Sequence, residues 1–220
     1  MKFNRGEMLG LILVVAAVLM SAVLYPRLPE AMPSHWNLDG QPDRFVHKPF
    51  GPFVLPAVMA GVLLLFLALP AISPRGFRFD NFRHAWAILE ASILGLIFLF
   101  NILGLLSAMG KPVDMTRGAE VGAGLLLVVL GNFMGKLTRN FFIGIRTPWT
   151  IASEEVWLRT HRLGGKLFVL AGLVFFVSGL LGGSWIPPAA ALFAAALISV
   201  VYSYLLYRRI EGFKEEIPGQ

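Results

Sequence analysis

The sequence predicts an all-α polytopic membrane protein: six transmembrane helices, a short outer loop able to form a hairpin, and an irregular inner loop. Three observations lead there. The 220-residue chain is 56% hydrophobic and only 15% charged, against roughly 25% charged residues in soluble domains. Its mean hydropathy is +0.70. Its charge-poor stretches approach the ~20 residues that a helix needs to cross ~30 Å of hydrocarbon.

Those stretches are Met8–Tyr25, Phe50–Ile72, Ala85–Met109, Gly118–Gly135, Gly164–Gly182 and Trp185–Tyr207. The first follows Lys2 and Arg5, as a signal peptide would. Tyr25-Pro26-Arg27 is a poor cleavage site, so the stretch is read as an uncleaved first helix. Two parts follow: residues 1–72, a helical pair with an extracytoplasmic loop over 26–49, and residues 73–220, four helices with a cytoplasmic loop over 136–163.

The net charge of +6 is read as flanking charge on membrane spans, with no direct nucleic-acid partner. With the N-terminus inside, inner segments hold Lys2 and Arg5; Arg75, Arg78 and Arg83; Lys136, Arg139, Arg146, Arg159, Arg162 and Lys166; and Arg208, Arg209 and Lys214. Outer segments hold Arg27, Arg44, Lys48, Lys111 and Arg117. Fourteen against five of the 19 basic residues is a strong positive-inside bias, which puts both termini in the cytoplasm and the protein in the plasma membrane. Trp36 and Trp185 fall at the outer edge, and Trp149, Trp157, Tyr204 and Tyr207 at the inner one, where amphipathic rings favour the headgroup level. The absence of cysteine excludes disulfides, thiolate metal sites and cysteine nucleophiles.

Inside the membrane, Glu90 and Asn101 stand eleven residues apart in the third span, so they share a helix face with Gly104 and Arg83. A carboxylate facing lipid is costly, so this face is expected to point into the bundle. Either the two form a proton or ion relay, or Glu90 pairs with a nearby Arg and Asn101 bonds a neighbouring helix. The other spans are read as holding no second buried acid. In the fourth span Gly124, Gly131 and Gly135 form a stripe that lets backbones approach closely, as an internal packing seam or as a homo-oligomer seam.

The outer loop opens with Pro26, Pro29 and Pro33, which oppose helix and favour extended chain. Asn37-Leu-Asp-Gly40 is a turn signal, so Ser34–Trp36 and Arg44–Val46 can pair as a hairpin on the membrane face. His35, His47, Asp39 and Asp43 are legitimate metal ligands, but their spacing matches no zinc pattern. The loop is read as holding no metal and as a cap or a surface for an extracellular peptide, through His35, Trp36, Asn37, Gly40, Asp43 and Lys48.

The inner loop is densest in unusual residues: Asn132 and Lys136, then Asn140-Phe-Phe-Ile-Gly-Ile-Arg-Thr-Pro-Trp-Thr150, then Trp157, His161 and Lys166. Pro148 biases Thr147 away from helix and Gly144 loosens the chain before it, so Asn140–Trp149 is expected to be irregular. Thr150 or Ser153 can cap the next helix, with Glu154 and Glu155 in its first turn, and that helix can run unbroken into the fifth span. Trp157, His161, Gly164 and Phe168 then share one face. Two readings of Arg146 stand: with Thr147 and Thr150 it binds an anionic group such as a lipid headgroup or a partner's carboxylate, or it satisfies carbonyls at the end of the fourth helix while Trp149 and Trp157 anchor the interface. An enzyme would need Arg146, His161 and Glu154 or Glu155 to converge, and no nucleophile elbow, His-Glu-x-x-His or phosphate-cradling loop is present. The chain is read as non-enzymatic and without a cofactor.

Leu28-Pro-Glu-Ala-Met-Pro-Ser-His-Trp-Asn-x-x-Gly40, with Asp43 and Lys48, resembles the extracytoplasmic domain of unknown function at the start of SdpI-family proteins. Asn140-x-Phe-Ile-Gly-Ile-Arg-Thr-Pro-Trp-Thr150, flanked by Gly131-Asn and Lys136 and followed by Val156-Trp157, Thr160-His161-Arg162 and Gly165-Lys166, is similar to the family's second signature. With the six-span plan, the resemblance covers nearly the whole chain. It implies a bacterial immunity protein that protects its cell from a secreted, membrane-active peptide toxin, and a receptor that tethers a transcriptional repressor. On that resemblance the outer loop would meet the toxin and the inner loop, through Asn132, Asn140, Gly144, Arg146, Thr147, Pro148, Trp149, Thr150, Trp157, His161 and Lys166, would meet the intracellular partner. The alternative is a small transporter or exporter using Glu90 and Asn101.

Overall fold

Six helices are long and apolar enough to cross a membrane, in a computed structural model that describes residues 5–37, 40–74 and 82–212. Lys2, Leu38, Asp39, Arg75, Arg78 and Lys214 lie outside the described residues. In chain order the elements are α1 (Arg5–Leu24), β1 (Ala31–Trp36), β2 (Pro42–His47), α2 (Val54–Ala68), α3 (Arg83–Ala108), α4 (Met115–Met134), α5 (Pro148–Ala152), α6 (Glu154–Leu181) and α7 (Ile186–Ile210). The chain is an all-α polytopic membrane protein with a two-stranded hairpin between its first two spans.

Local chemistry sets the differences from the expected ends. The second span begins with a 3-10 turn at Gly51–Phe53 and its helix stops at Ala68 rather than Ile72, because Pro70 has no N–H to continue the ladder. The fourth begins at Met115, one turn before Gly118, because the Asp114 carboxylate accepts the Arg117 N–H at 3.0 Å. α6 runs unbroken from Glu154 into the fifth span. Ser153 rather than Thr150 caps it, accepting from Val156 N at 3.4 Å, and Gly182 closes it in the left-handed conformation at φ 67°.

The expected hairpin forms and is longer at both ends. Ala31 pairs with His47, Met32 with Val46, Pro33 with Phe45 and His35 with Arg44 in antiparallel register, with irregularities around Ser34–Trp36. Gly40 turns the chain at φ 74°. Lys48 donates from Nζ to the Leu28 carbonyl at 2.6 Å and lies 4.7 Å from the Tyr25 ring centre, which ties the hairpin base to the end of α1.

α3 packs against α1 and α2 on one side and α4 on the other, and α6 lies between α4 and α7. The α1–α2–α3 core is built from Val14, Ala17, Met59, Leu63 and Leu94. A second core joins α2 and α3 to the 135–157 segment through Phe66, Trp86, Leu89, Leu137 and Trp157. The α4–α6 contact is set by reciprocal glycines. A Cβ on Gly124 would lie 2.7 Å from the Gly172 carbonyl, and one on Gly172 2.7 Å from that of Gly124. Gly131 and Gly165 stand in the same relation, at 2.5 and 2.6 Å. The Gly124–Gly131 face is therefore taken by α6 of the same chain. Gly118 and Gly122 face α3 instead, against Leu103, Leu96 and Leu99.

Gly131→Ala should destabilise the protein by about 1–3 kcal/mol, because backbone rather than a movable side chain blocks the new methyl. Gly61→Ala and Gly95→Ala, whose new methyls meet nothing within 4 Å, should be neutral or slightly stabilising. Thermal unfolding of the three variants in maltoside micelles checks this; equal midpoints for all three would contradict it.

Candidate functional site

Polar residues gather at the two ends of the bundle, and the two gatherings are built differently. At the loop end, the segment after α4 is held by hydrogen bonds to its own backbone and to α6 and α7. Asn140 is fully buried; its Oδ1 accepts from Phe142 N at 2.9 Å and Ile143 N at 2.8 Å, and its Nδ2 donates to the Thr138 carbonyl. Gly144 follows with φ 111°, and a Cβ there would collide with His161 Nε2. His161 is fully buried, stacked on Trp157 with ring centres 4.0 Å apart. Its Nδ1 donates to the Trp157 carbonyl at 2.8 Å while Nε2 accepts from Ile145 N at 2.9 Å, so both ring nitrogens hold backbone and the Nδ1–H tautomer is specified.

Thr147 and Thr150 form a reciprocal capping box around α5, with Pro148 in its first turn. Trp149 therefore sits on a helical turn rather than in irregular chain, edge-on to Tyr204 at 5.1 Å. Thr147 Oγ1 also lies 3.0 Å from Ser203 Oγ on α7, and Thr150 Oγ1 donates to the Ile145 carbonyl at 2.8 Å. Trp157 is 0% exposed, and its Nε1 donates to the Leu137 carbonyl at 2.7 Å. It is a core residue, not an interface anchor, because the segment after α4 folds over it. The exposed Arg146 donates to the Phe141 carbonyl, within the loop and not at the end of α4. Arg159 pairs with Glu155 on the surface. Both ring nitrogens of the buried His161 are taken by backbone and Arg146 is taken by the Phe141 carbonyl, so each is engaged with a partner other than the members of the site an enzyme would need. Asn132, His161 and Lys166 do meet, with Arg162, along a groove of about 500 Å³ between α4 and α6.

At the hairpin end the arrangement is open. His35 Nδ1 and Asp43 Oδ1 are 2.6 Å apart, both well exposed. Asn37 Oδ1 accepts from Gln41 N at 2.9 Å and the Asn37 carbonyl from Gly40 N at 3.0 Å, which closes the turn. Asp43 and Lys48 are thus engaged in holding the hairpin. Among the described residues no three metal-ligating side chains come together.

Trp36 lies over Gly104 of α3, where a Cβ would be 3.9 Å from the indole. On one side of it is a cavity of about 80 Å³ reached by Asn101. On the other is a cleft of about 510 Å³ between the hairpin, α3, α4 and the start of α7, walled by Trp36, Leu55, Phe100, Met115 and Trp185. Glu120 of α4 also lines this cleft, only 6% exposed, and its Oε1 has no hydrogen-bond partner.

Glu120 corrects the expectation of a single buried acid. The signal for it was available: Glu120, Gly124, Gly131 and Gly135 fall on one helix face, so an acid at this position meets α6 and the bundle. It lies inside the span expected over Gly118–Gly135, and the start of α4 at Met115 sets it in the second turn of the helix. Glu90 and Asn101 are both buried, at 1% and 3% exposure. Among the described residues no cation pairs with Glu90, and Glu90 Oε1 and Asn101 Nδ2 have no hydrogen-bond partner; the inner-side Arg75 and Arg78 lie outside those residues. Glu90 lies against Gly10 of α1, and the fully buried Leu94 stands between it and Asn101 on α3. Asn101 belongs spatially to the hairpin, not to Glu90.

A hairpin-roofed cleft on a six-span bundle, with an interlocked loop at the other end, defines a multi-pass membrane protein organised around two terminal surfaces. A model of the SdpI/YfhL protein family matches residues 136–203, and one of a domain of unknown function, DUF1648, matches residues 12–60. Immunity protein SdpI of Bacillus subtilis (strain 168) is 30% identical over 210 residues, covering 94% of this chain and 99% of that protein. The chain belongs to the SdpI family. Uncharacterized membrane protein YbgB of the same organism is 44% identical over 46 residues, 21% of this chain and 50% of that protein. No solved structure matches significantly. Glu90, Asn101 and Glu120 all fall between the two segments matched by family models.

Trp157→Phe keeps the ring stack but leaves the Leu137 carbonyl buried without its donor, a loss of about 1–3 kcal/mol. It should lower the unfolding midpoint and speed proteolysis between Lys136 and Thr147, read by limited trypsin digestion and peptide mapping. Wild-type proteolysis and midpoint would remove the structural role given to this bond.

Proposed function

We propose that this chain is a non-enzymatic membrane immunity protein, which confers resistance to a secreted, membrane-active peptide toxin met at the cleft under the hairpin. The observation that carries the reading is the similarity to Immunity protein SdpI across nearly the full length of both chains. The cleft gives that similarity a physical site: apolar walls for a membrane-active ligand, opening beside a polar hairpin rim. The positive-inside bias supports a hairpin outside the plasma membrane and both termini in the cytoplasm.

The opposite end suits a receptor role. Lys136, Arg146, Arg159, Arg162 and Lys166 are exposed there, on a scaffold made rigid by the Asn140, Thr147 and His161 bonds. This basic surface would tether a transcriptional repressor and rest against lipid headgroups. The transport reading has less support, since Leu94 separates the two residues it would use.

Two outcomes test the proposal. Replacing His35 and Trp36 together by Ala should abolish protection of cells challenged with the cognate toxin while membrane levels stay unchanged; full protection would overturn the role of the hairpin. Because the chain has no cysteine, single Gln41→Cys and Glu154→Cys variants report topology directly. A membrane-impermeant maleimide added to intact cells should label the first and not the second, and the reverse pattern would invert the protein.

A further inference from the structure

Among the described residues, the cleft beneath the hairpin holds an acid with no opposite charge paired to it. Glu120 is the one acidic residue among the cleft's lining residues, and its Oε1 is buried without a partner. The basic side chains nearby are engaged elsewhere. Arg117, one turn away on α4, pairs with Asp114 at 3.0 Å and lies against Gly182. His35 at the rim is bonded to Asp43 at 2.6 Å.

A carboxylate withdrawn from water costs free energy until an opposite charge and hydrogen-bond donors reach it. The surrounding groups suit that arrival. Trp36, Phe100 and Trp185 present aromatic rings that favour a cation, and Leu55 and Met115 add apolar wall for an aliphatic stem. A ligand that completed the site would put an ammonium or guanidinium on Glu120 and lay its apolar body along the rings.

We propose that the cleft binds a lysine or arginine side chain carried on an apolar stretch of peptide, with Glu120 as its buried counter-charge. This deepens the proposed function and rests on it for the source of the ligand, a secreted peptide. Charge complementarity selects the occupant: a wholly apolar segment would leave Glu120 as costly as before, and an anionic one would add repulsion.

The test uses the full chain in maltoside micelles, where no lipid ammonium competes. The probe is a short Leu/Ala peptide with one lysine, set against the same peptide with norleucine in that place. Tryptophan fluorescence is the readout, since Trp36 and Trp185 line the cleft and the peptides have no tryptophan. The lysine peptide should bind wild type, and Glu120→Gln should weaken it by about 30-fold or more while leaving the weak norleucine binding unchanged. Equal binding of the lysine peptide to wild type and Glu120→Gln would overturn the inference. So would norleucine binding as tight as lysine binding, or displacement by added phosphatidylethanolamine, which would make a lipid ammonium the occupant. Should Glu120→Gln fail to fold, the two peptides on wild type test the same charge requirement. Cell protection separates the two levels. Glu120→Gln cells that resist toxin while the purified variant loses the lysine peptide would leave the cleft chemistry standing and overturn its role in immunity. Loss of protection by the His35/Trp36 variant, with lysine-peptide binding unaffected by Glu120→Gln, would overturn the charge inference alone.

Discussion

The close approach of α4 and α6 is the contact on which the rest of the molecule depends. Lipid tails are as apolar as leucine, so helices in a bilayer gain little from burying apolar surface against each other and rely on tight packing. Here the packing is backbone on backbone, at Gly124 against Gly172 and Gly131 against Gly165. α4 also uses glycine on its other flank, where Gly118 and Gly122 receive leucines of α3. With both flanks set, α4 acts as a rod: its first turns bring Thr116 and Glu120 to the hairpin cleft, and its last bring Asn132 and Gly135 to the groove beside Arg162 and Lys166.

The two ends then diverge in how their polar groups are used. The buried polar groups of Asn140, Thr147, Thr150, Trp157 and His161 themselves meet partners, most of them backbone atoms of the same segment, while Thr160 Oγ1 beside them does not. Such a network holds one conformation, because breaking any bond leaves a buried group unsatisfied. The most recognisable stretch of sequence, Gly144 to Thr150, is thus the scaffold of a surface; its exposed arginine, Arg146, is what it presents. At the hairpin end the polar groups at the rim pair among themselves, as His35 does with Asp43. Those beneath, Glu120 and Asn101, keep unpartnered atoms beside open volume. A satisfied network keeps a shape, whereas an unsatisfied group next to a cavity is a place where a ligand changes the energy.

Much of this was legible from local pattern. Spans follow from apolar length, and the hairpin from three prolines and a turn signal, all properties of neighbouring residues. The continuous α6 follows in the same way from Ser153 and two acids in a first turn, with no proline before Gly182. The glycine stripe in the fourth span was readable as a close-packing face, although its partner was not. Ends moved where a single cap or proline intervened, at Asp114 and Pro70.

Residue type, order and helical phase settled by themselves that this chain spans a membrane six times, carries a hairpin after the first span, and has a glycine face on the fourth. They could do so because helix and strand periodicities depend on residues within a few positions of one another. Only the tertiary structure decided that Asn101 joins the hairpin while Glu90 stays with Gly10, that Trp157 is core, and that Glu120 faces an aromatic cleft. Each of those depends on which distant segment arrives beside the residue: Gly10 on α1, Leu137 after α4, and Trp36 and Trp185 from segments some 150 residues apart in sequence. Helical phase says which way a side chain points, and only the packed bundle says what it meets.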